Sequence, residues 1–487
     1  EVLWRNMAQD QATSEDTEQQ NDTPQIPEAN PLKRLLKAVD RAFLDERSWL
    51  AYLPIIAAVI LLFCGASWQM LGLHTDAARY QCYALTFWRG SAGTQSLPDV
   101  QCSFLYQLGM PHGNVPAFSI LPFEYPPLTL SIFSPALLAP LGYYQVAFAV
   151  LMALVAIFIY WLLLRYGPRG AGIACALYLV LGAWATAEGR FDLVPAALTL
   201  LCLIAAKRGR WALAYLALAA GFLLKIYPVL LLPVLFIAEQ TTTGRFYKPS
   251  NALTLQTFPG ELWRTLRGAL RWRWTNLLLF FAASLVIGGL FALLNFQGAV
   301  LSQLSYFANR PIQIESTGST LLELITALGQ PASIVYTFGS INIESNLGSI
   351  VALLFEVLFV LGYLFTLLLQ WRGKLDAVQA FLAIILVFII TGKVFSPQYL
   401  IWLIPLLAYS GAFNWRWLGI WCSISLLTTA IYPYIYAANP DQRLTPFFPG
   451  FVELVAIRNV LLILVTLALL FNWWRLKERK PLVKAAS

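Results

Sequence analysis

The sequence predicts an all-α protein that crosses a membrane many times, and two observations carry that prediction. Its 487 residues are 59% hydrophobic and only 12% charged, whereas a soluble domain carries roughly a quarter charged residues. Apolar runs long enough to cross a bilayer also recur from Leu50 to Trp474. A spanning β-barrel would show short alternating segments instead, and those are absent from the pattern. The net charge of +8 is no nucleic-acid signature, because the basic residues flank apolar runs and form no stripe.

Taken in order, the chain divides into a leader (1–48), a transmembrane domain (49–474) and a basic tail (475–487). Residues 1–30 are acidic and rich in Gln, Asn, Thr, Ser and Pro, a composition that favours disorder. Lys33, Arg34, Lys37, Arg41 and Arg47 precede the first span, Leu50–Leu71, and this places the N-terminus in the cytoplasm. That span follows a long polar leader and is long enough to stay as an anchor, so no cleavable signal peptide is read here. The loop 72–142 then lies outside; its apolar part from Pro126 to Leu141 is broken by four prolines and reads as interfacial. Span two is Tyr143–Leu164, and spans three and four, Ala171–Thr186 and Leu193–Ala206, flank the outer EGRFD turn. Trp211 to Ala238 makes two short spans hinged at Lys225, and the strongly basic loop 239–275 is cytoplasmic. Span seven, Asn276–Phe296, leads to the outer loop 297–346, with a small interfacial helix at Leu321–Leu328. Spans eight to twelve are Leu347–Trp371, Ala377–Thr391, Leu400–Ser410, Trp417–Tyr432 and Phe451–Trp474. Both termini are then cytoplasmic.

Charges at the ends of apolar segments are costly and mark substrate or ion pathways. On this topology they gather on the outer side. Asp76 follows Thr75 at a helix start, where an acid either serves the helix N-terminus or acts in chemistry. Glu124 and Tyr125 precede a Pro-Pro pair, and Glu188, Arg190 and Asp192 crowd one turn, where a salt bridge would close it. Lys225 with Tyr227, Arg310 with Gln313 and Glu315, Lys393 with Gln398, and Arg458 supply cations beside polar or aromatic side chains. A lone lysine at a helix end snorkels to the headgroups. Four cations on one face suggest an anion site at the level of a lipid phosphate, with arginine offering a bidentate fork. No nucleotide-binding glycine motif is present. The only histidines are His74 and His112 and no close acidic pair occurs, so no metal or other cofactor is called for, although a divalent ion on the carboxylates is left open. Cys82 and Cys102 fall in the first outer loop, where a disulfide and two free thiols are both open. The Trp263–Trp274 run reads as an amphipathic segment on the inner leaflet.

A set of stretches then stands out: Asp76-x-x-x-Tyr80, EYPPL (Glu124–Leu128), EGRFDLVPAAL (Glu188–Leu198), LLKIYPVLLLP (Leu223–Pro233), NRPIQIEST (Asn309–Thr317), KVFSPQYLIWLIP (Lys393–Pro405) and AIRN (Ala456–Asn459). In this order they resemble the polytopic GT-C glycosyltransferases of the mannosyltransferase and arabinofuranosyltransferase type, glycosyltransferase family 87. The resemblance implies a GT-C fold of about twelve helices and an inverting transferase in the cell envelope, working on the outer leaflet. Its donor would be a polyprenyl-phosphate sugar and its acceptor a lipid or glycan, with membrane lipids around it and no nucleic acid. The family's acidic base maps by motif onto Asp76. Lys225, Arg310, Lys393 and Arg458 are then candidates for the donor phosphate. Tyr80, Glu124, Tyr125, Glu188, Arg190, Asp192, Tyr227, Gln313, Glu315 and Gln398 are the supporting candidates. A transporter or lipid flippase, and a ligase using a diphosphate-linked donor, are the competing readings.

Overall fold

The structure is a computed structural model that describes residues 43–44, 46–111, 113–247, 256–438 and 441–471. The chain divides into two units, Glu1–Ala51 and Tyr52–Ser487. In the first, only 43–44 and 46–51 are described. The expectations for the disordered leader, for the tail 475–487 and for 248–255 of the basic loop lie outside the described residues.

The second unit is built from helices. In chain order the longer ones are α1 (Leu53–Leu71), α2 (Asp76–Arg89), α3 (Asp99–Gln107), α4 (Tyr144–Tyr166), α5 (Ala171–Gly182), α6 (Leu193–Lys207), α7 (Trp211–Leu224) and α8 (Leu232–Thr242). They continue as α9 (Phe258–Arg267), α10 (Thr275–Leu294), α11 (Ser302–Asn309), α12 (Thr317–Ala327), α13 (Gly348–Trp371), α14 (Ala377–Thr391), α15 (Tyr399–Ser410), α16 (Trp415–Thr429) and α17 (Phe451–Leu470). Among the described residues six helices are long and apolar enough to cross a membrane. The remaining apolar helices, α5, α6, α7, α14 and α15 among them, are shorter.

Burial separates two kinds of helix. Nearly every residue of α6, α14 and α15 is enclosed, as expected of helices that are apolar on all sides. By contrast α10 and α13 leave Leu285, Leu290, Leu293, Ile350 and Leu361 bare. Long helices that are apolar on their open faces are stable only where lipid covers them. The protein is therefore membrane-embedded.

Local signals explain the boundaries. Asp376 and Gln379 form a reciprocal capping box at the start of α14, and Asn414 caps α16. Thr75 caps α2 by accepting from Ala78 N, which puts Asp76 in the first turn. Pro228 follows the end of α7, so the chain leaves the helix at Lys225 and re-forms as a tight turn over Tyr227–Leu231. Where α1 crosses the chain between α5 and α6, only glycine fits at position 65. A Cβ there would lie 2.3 Å from the carbonyl oxygen of Trp184.

The loop 72–142 is mostly helical and caps one end of the bundle, here termed the loop face. Cys82 and Cys102 form a disulfide that ties α2 to α3, which settles the open choice between a bond and two thiols. The structure is consistent with the all-α expectation and adds one small sheet to it. The segment 297–346 carries, besides α11 and α12, a three-stranded antiparallel sheet of β1 (Ile312–Gln313), β2 (Ala332–Thr337) and β3 (Ser340–Ser345), in the order β1-β3-β2. Strands β2 and β3 are joined by Phe338 and Gly339, both at positive φ (53° and 67°), the geometry of a tight two-residue hairpin. Fully buried Asn342 holds this hairpin by donating to Thr337 O and Ser340 O.

The bridge closes a loop across a sequence separation of 20. Replacing both cysteines with serine is expected to cost about 3 kcal/mol, read as a lower melting temperature of the purified protein that added reductant reproduces in the parent.

Candidate active site

A cavity of about 390 Å³ opens on the loop face. It is lined by Asp76 and Arg79 of α2, Glu124, Tyr125 and Pro126, Arg190, Lys225, Tyr306 and Arg310, the hairpin tip Phe338–Ser340, Glu356 and Phe359 of α13, and the segment from Phe388 to Tyr399. Residues from eight separate stretches therefore meet in one place. Ion pairs fix how they meet.

The first turn of α2 is a favourable site for a carboxylate, because the helix end carries partial positive charge. There Asp76 accepts from Arg190 at 2.5 Å through Oδ2 and remains 17% exposed. Its Oδ1 has no partner among the described residues. One helical turn on, Arg79 binds Glu124 at 2.6 Å and lies over the Phe104 ring. Burial works against the Arg79 charge, but Glu124, with Tyr83 and Tyr125 behind it, holds its pKa well above the ordinary value. Burial likewise pushes the Tyr125 phenol well up, so it stays a neutral wall of the cavity.

Lys225 reaches back from the end of α7 to Asp192 at 2.5 Å. Asp192 also accepts from Trp402 Nε1 at 2.6 Å, and the Lys225 ammonium lies over the rings of Phe191 and Trp402. Trp402 stacks between Tyr227 and Tyr399, with centroids 4.2 Å and 4.1 Å away. This aromatic column joins the turn after α7 to α15 beside the cavity.

On the far wall Gln313 ties the sheet to the chain after α14. Its backbone N–H donates to Lys393 O, and its side-chain oxygen accepts from Phe395 N. That clamp fixes Lys393, whose ammonium meets Glu356 of α13 at 3.0 Å. Arg310 differs from every other cation here: it has no carboxylate partner among the described residues. Its Nε is buried without a hydrogen bond, Nη2 makes a long 3.4 Å contact with Ser340 Oγ, and its guanidinium lies over Tyr306.

The expected residues thus divide. Asp76, Glu124, Tyr125, Arg190, Lys225, Arg310, Gln313, Lys393 and Gln398 all line the cavity. Asp192 and Tyr227 stand one layer behind, holding Lys225 and Trp402. Tyr80 needs correcting: it is buried in an aromatic cluster, stacked on Phe133 at 4.2 Å, because the segment 127–138 covers that face of α2. Arg458 and Glu315 need correcting too. Arg458 is 0% and Glu315 2% exposed, and they bind each other at 2.7 Å. Tyr436 donates to the same carboxylate, and Arg458 Nη2 and Asn459 donate to Glu315 O. This knot fastens the loop before α12 to α17. It does not face the cavity.

Glu188 also lies outside the cavity lining. It is fully buried and neither carboxyl oxygen has a partner among the described residues. Burial pushes its pKa up to about 8. Several cavity residues carry no expectation from sequence, among them Arg79, Tyr306, Glu356 and the hairpin tip at Phe338–Gly339. The signal for Glu356 was there, since a carboxylate inside an apolar span needs a partner. Among the described residues no cluster of His, Cys, Asp or Glu could hold a metal ion.

Two predictions follow from these burials. Arg458→Met leaves the Glu315 carboxylate buried and alone, and is expected to cost about 3–5 kcal/mol. Adding Glu315→Gln should restore much of the loss, as measured by thermal unfolding. For Glu188, a folded pKa near 8 against an unfolded value of about 4.3 means the folded state holds the extra proton between them. Stability is then greatest below about pH 4.3 and falls as pH rises toward 8. Glu188→Gln should remove that slope and raise the melting temperature at pH 8 more than at pH 5.

Among protein-family models and curated proteins nothing matches this chain, so the chemistry of the cavity rests on its own residues.

Proposed function

We propose that the chain is an inverting glycosyltransferase of the GT-C type that moves mannose or arabinofuranose from a polyprenyl-phosphate donor to a lipid or glycan acceptor. One observation carries this reading. A partly exposed carboxylate, Asp76, held by Arg190 through Oδ2, shares a cavity with Arg310, which has no carboxylate partner among the described residues, and with aromatic side chains of α13 and α14. The resemblance of the Asp76, EYPPL, EGRFD and KVFSPQY stretches to that family supports it.

In this mechanism the donor phosphate sits at Arg310 and Lys393, and the polyprenyl chain leaves past Phe359 and Phe388 toward lipid. An acceptor hydroxyl beside Asp76 attacks the anomeric carbon from the side opposite the phosphate. Asp76 Oδ1 takes the hydroxyl proton as general base. The bond from the anomeric carbon to the phosphate oxygen breaks through an oxocarbenium-like state, and its electron pair leaves with the phosphate. Arg310 and Lys393 stabilise the charge that grows there. Arg190 holds the carboxylate in position by binding Oδ2. The phosphate is already a good leaving group, so no strong general acid is required.

The twelve-span arrangement, with both termini cytoplasmic and the loop face outside, belongs to this proposal. The Cys82–Cys102 bond supports it, because disulfides persist in oxidising compartments.

The test is to incubate purified protein with polyprenyl-phosphate-mannose and polyprenyl-phosphate-arabinofuranose and to follow products by mass spectrometry. Transfer is expected with one of them. Asp76→Asn should lower turnover on the order of 10²–10⁴-fold with donor binding nearly unchanged, and with a lower melting temperature because Arg190 loses its counter-charge. Wild-type turnover in that variant would rule out the base assignment, and movement of the lipid without any new glycosidic bond would favour a flippase.

A further inference from the structure

The charges of the cavity nearly cancel, and the remainder points to the charge of its ligand. Each lining cation except Arg310 has its own carboxylate, in three cases within the lining and for Lys225 in Asp192 behind it. One positive charge is left over. The pairs are not alike, however. Those of Arg190 and Lys225 are well enclosed, whereas Lys393 is 30% and Glu356 58% exposed. Glu356 also stands two turns inside α13, an apolar helix with little of its surface covered. A half-open carboxylate in such a helix is costly unless it serves the cavity it faces.

We propose that Glu356 is the specificity-determining residue that matches this site to a lipid phosphate of one negative charge. This rests on the reading of the cavity as a polyprenyl-phosphate site. With Glu356 beside Lys393, the Arg310–Lys393 wall presents one net positive charge. A sugar-linked phosphodiester carries one negative charge and balances it. A sugar-linked diphosphate carries two, and its second charge meets the Glu356 carboxylate. Like charges brought together at a partly desolvated site discriminate strongly between ligands of the same shape. The partial exposure of the Glu356–Lys393 pair is what lets an incoming phosphate share the lysine, since an open ion pair is weak.

The experiment measures binding of two probes to the full chain in lipid nanodiscs: polyprenyl-phosphate-mannose and polyprenyl-diphosphate-mannose of equal chain length. Wild type should prefer the monophosphate. Glu356→Gln should tighten the diphosphate by about tenfold or more, the order of effect seen for charge pairs at interfaces, and so erase or reverse the preference. A preference ratio unchanged in Glu356→Gln would overturn the proposal, as would equal weakening of both probes, which would make Glu356 a sugar contact. Arg310→Met reports on the underlying site and should weaken both probes in either background. If wild type binds neither probe, the lipid-phosphate reading itself fails and the proposal falls with it. If it binds them and only the ratio fails to move, the site stands and the role of Glu356 does not. Glu356→Asp keeps the charge and should retain the wild-type preference, which separates charge from misfolding.

Discussion

The constraint on which this structure depends is the cost of an unshared charge inside an apolar body. Removing a carboxylate or a guanidinium from water costs several kcal/mol even after relaxation, and only a close opposite charge with further hydrogen bonds returns it. The loop face is assembled from such partnerships between distant parts of the chain. Asp76 at the start of α2 finds Arg190 before α6, Asp192 finds Lys225 at the end of α7, and Glu315 before α12 finds Arg458 in α17. Each pair joins two segments that apolar packing alone would leave free to slide. Dispersion is non-directional, whereas a bidentate guanidinium admits one geometry.

The same constraint explains what was legible beforehand. Helix ends came through at α14, which spans Ala377–Thr391 just as its apolar run predicts, because Asp376 caps one end and Gly392 follows the other; at α16 the Asn414 cap starts the helix at Trp415, two residues before the expected Trp417. The sheet did not come through. Its β2 strand is only half-buried on either face, and no clean alternation marks it. The Phe338–Gly339 turn takes a non-glycine residue at positive φ, which turn chemistry does not advertise. In the cavity, Asp76, Lys225, Arg310 and Lys393 were readable as residues that stand apart from the apolar runs, and all four line it. Their partners were not, because pairing depends on how loops from opposite ends of the chain fold over one another. Tyr80 shows the limit from the other direction. It stands one turn from Asp76, yet the aromatic cluster of Phe133, Phe148 and Phe191 encloses it.

Exposure is what separates pairs that hold the fold from pairs that can take part in recognition. The Arg458–Glu315 pair has no water access, every atom of it is engaged by Tyr436, Asn459 or backbone, and no ligand could enter without dismantling the loop. The Lys393–Glu356 pair has one contact, at 3.0 Å, and both of its side chains stay partly exposed. Partner exchange there costs little, since an exposed ion pair contributes at most about 1 kcal/mol. Four cations on one face therefore do not make four phosphate ligands. The enclosed ones are already committed to their carboxylates. Only where a pair is open, as at Lys393, or where the carboxylate is missing, as at Arg310, is positive charge free to meet an anion. On the proposed transferase reading, the phosphate then belongs on the wall formed by Arg310 and Lys393, in the cavity that Asp76 also lines.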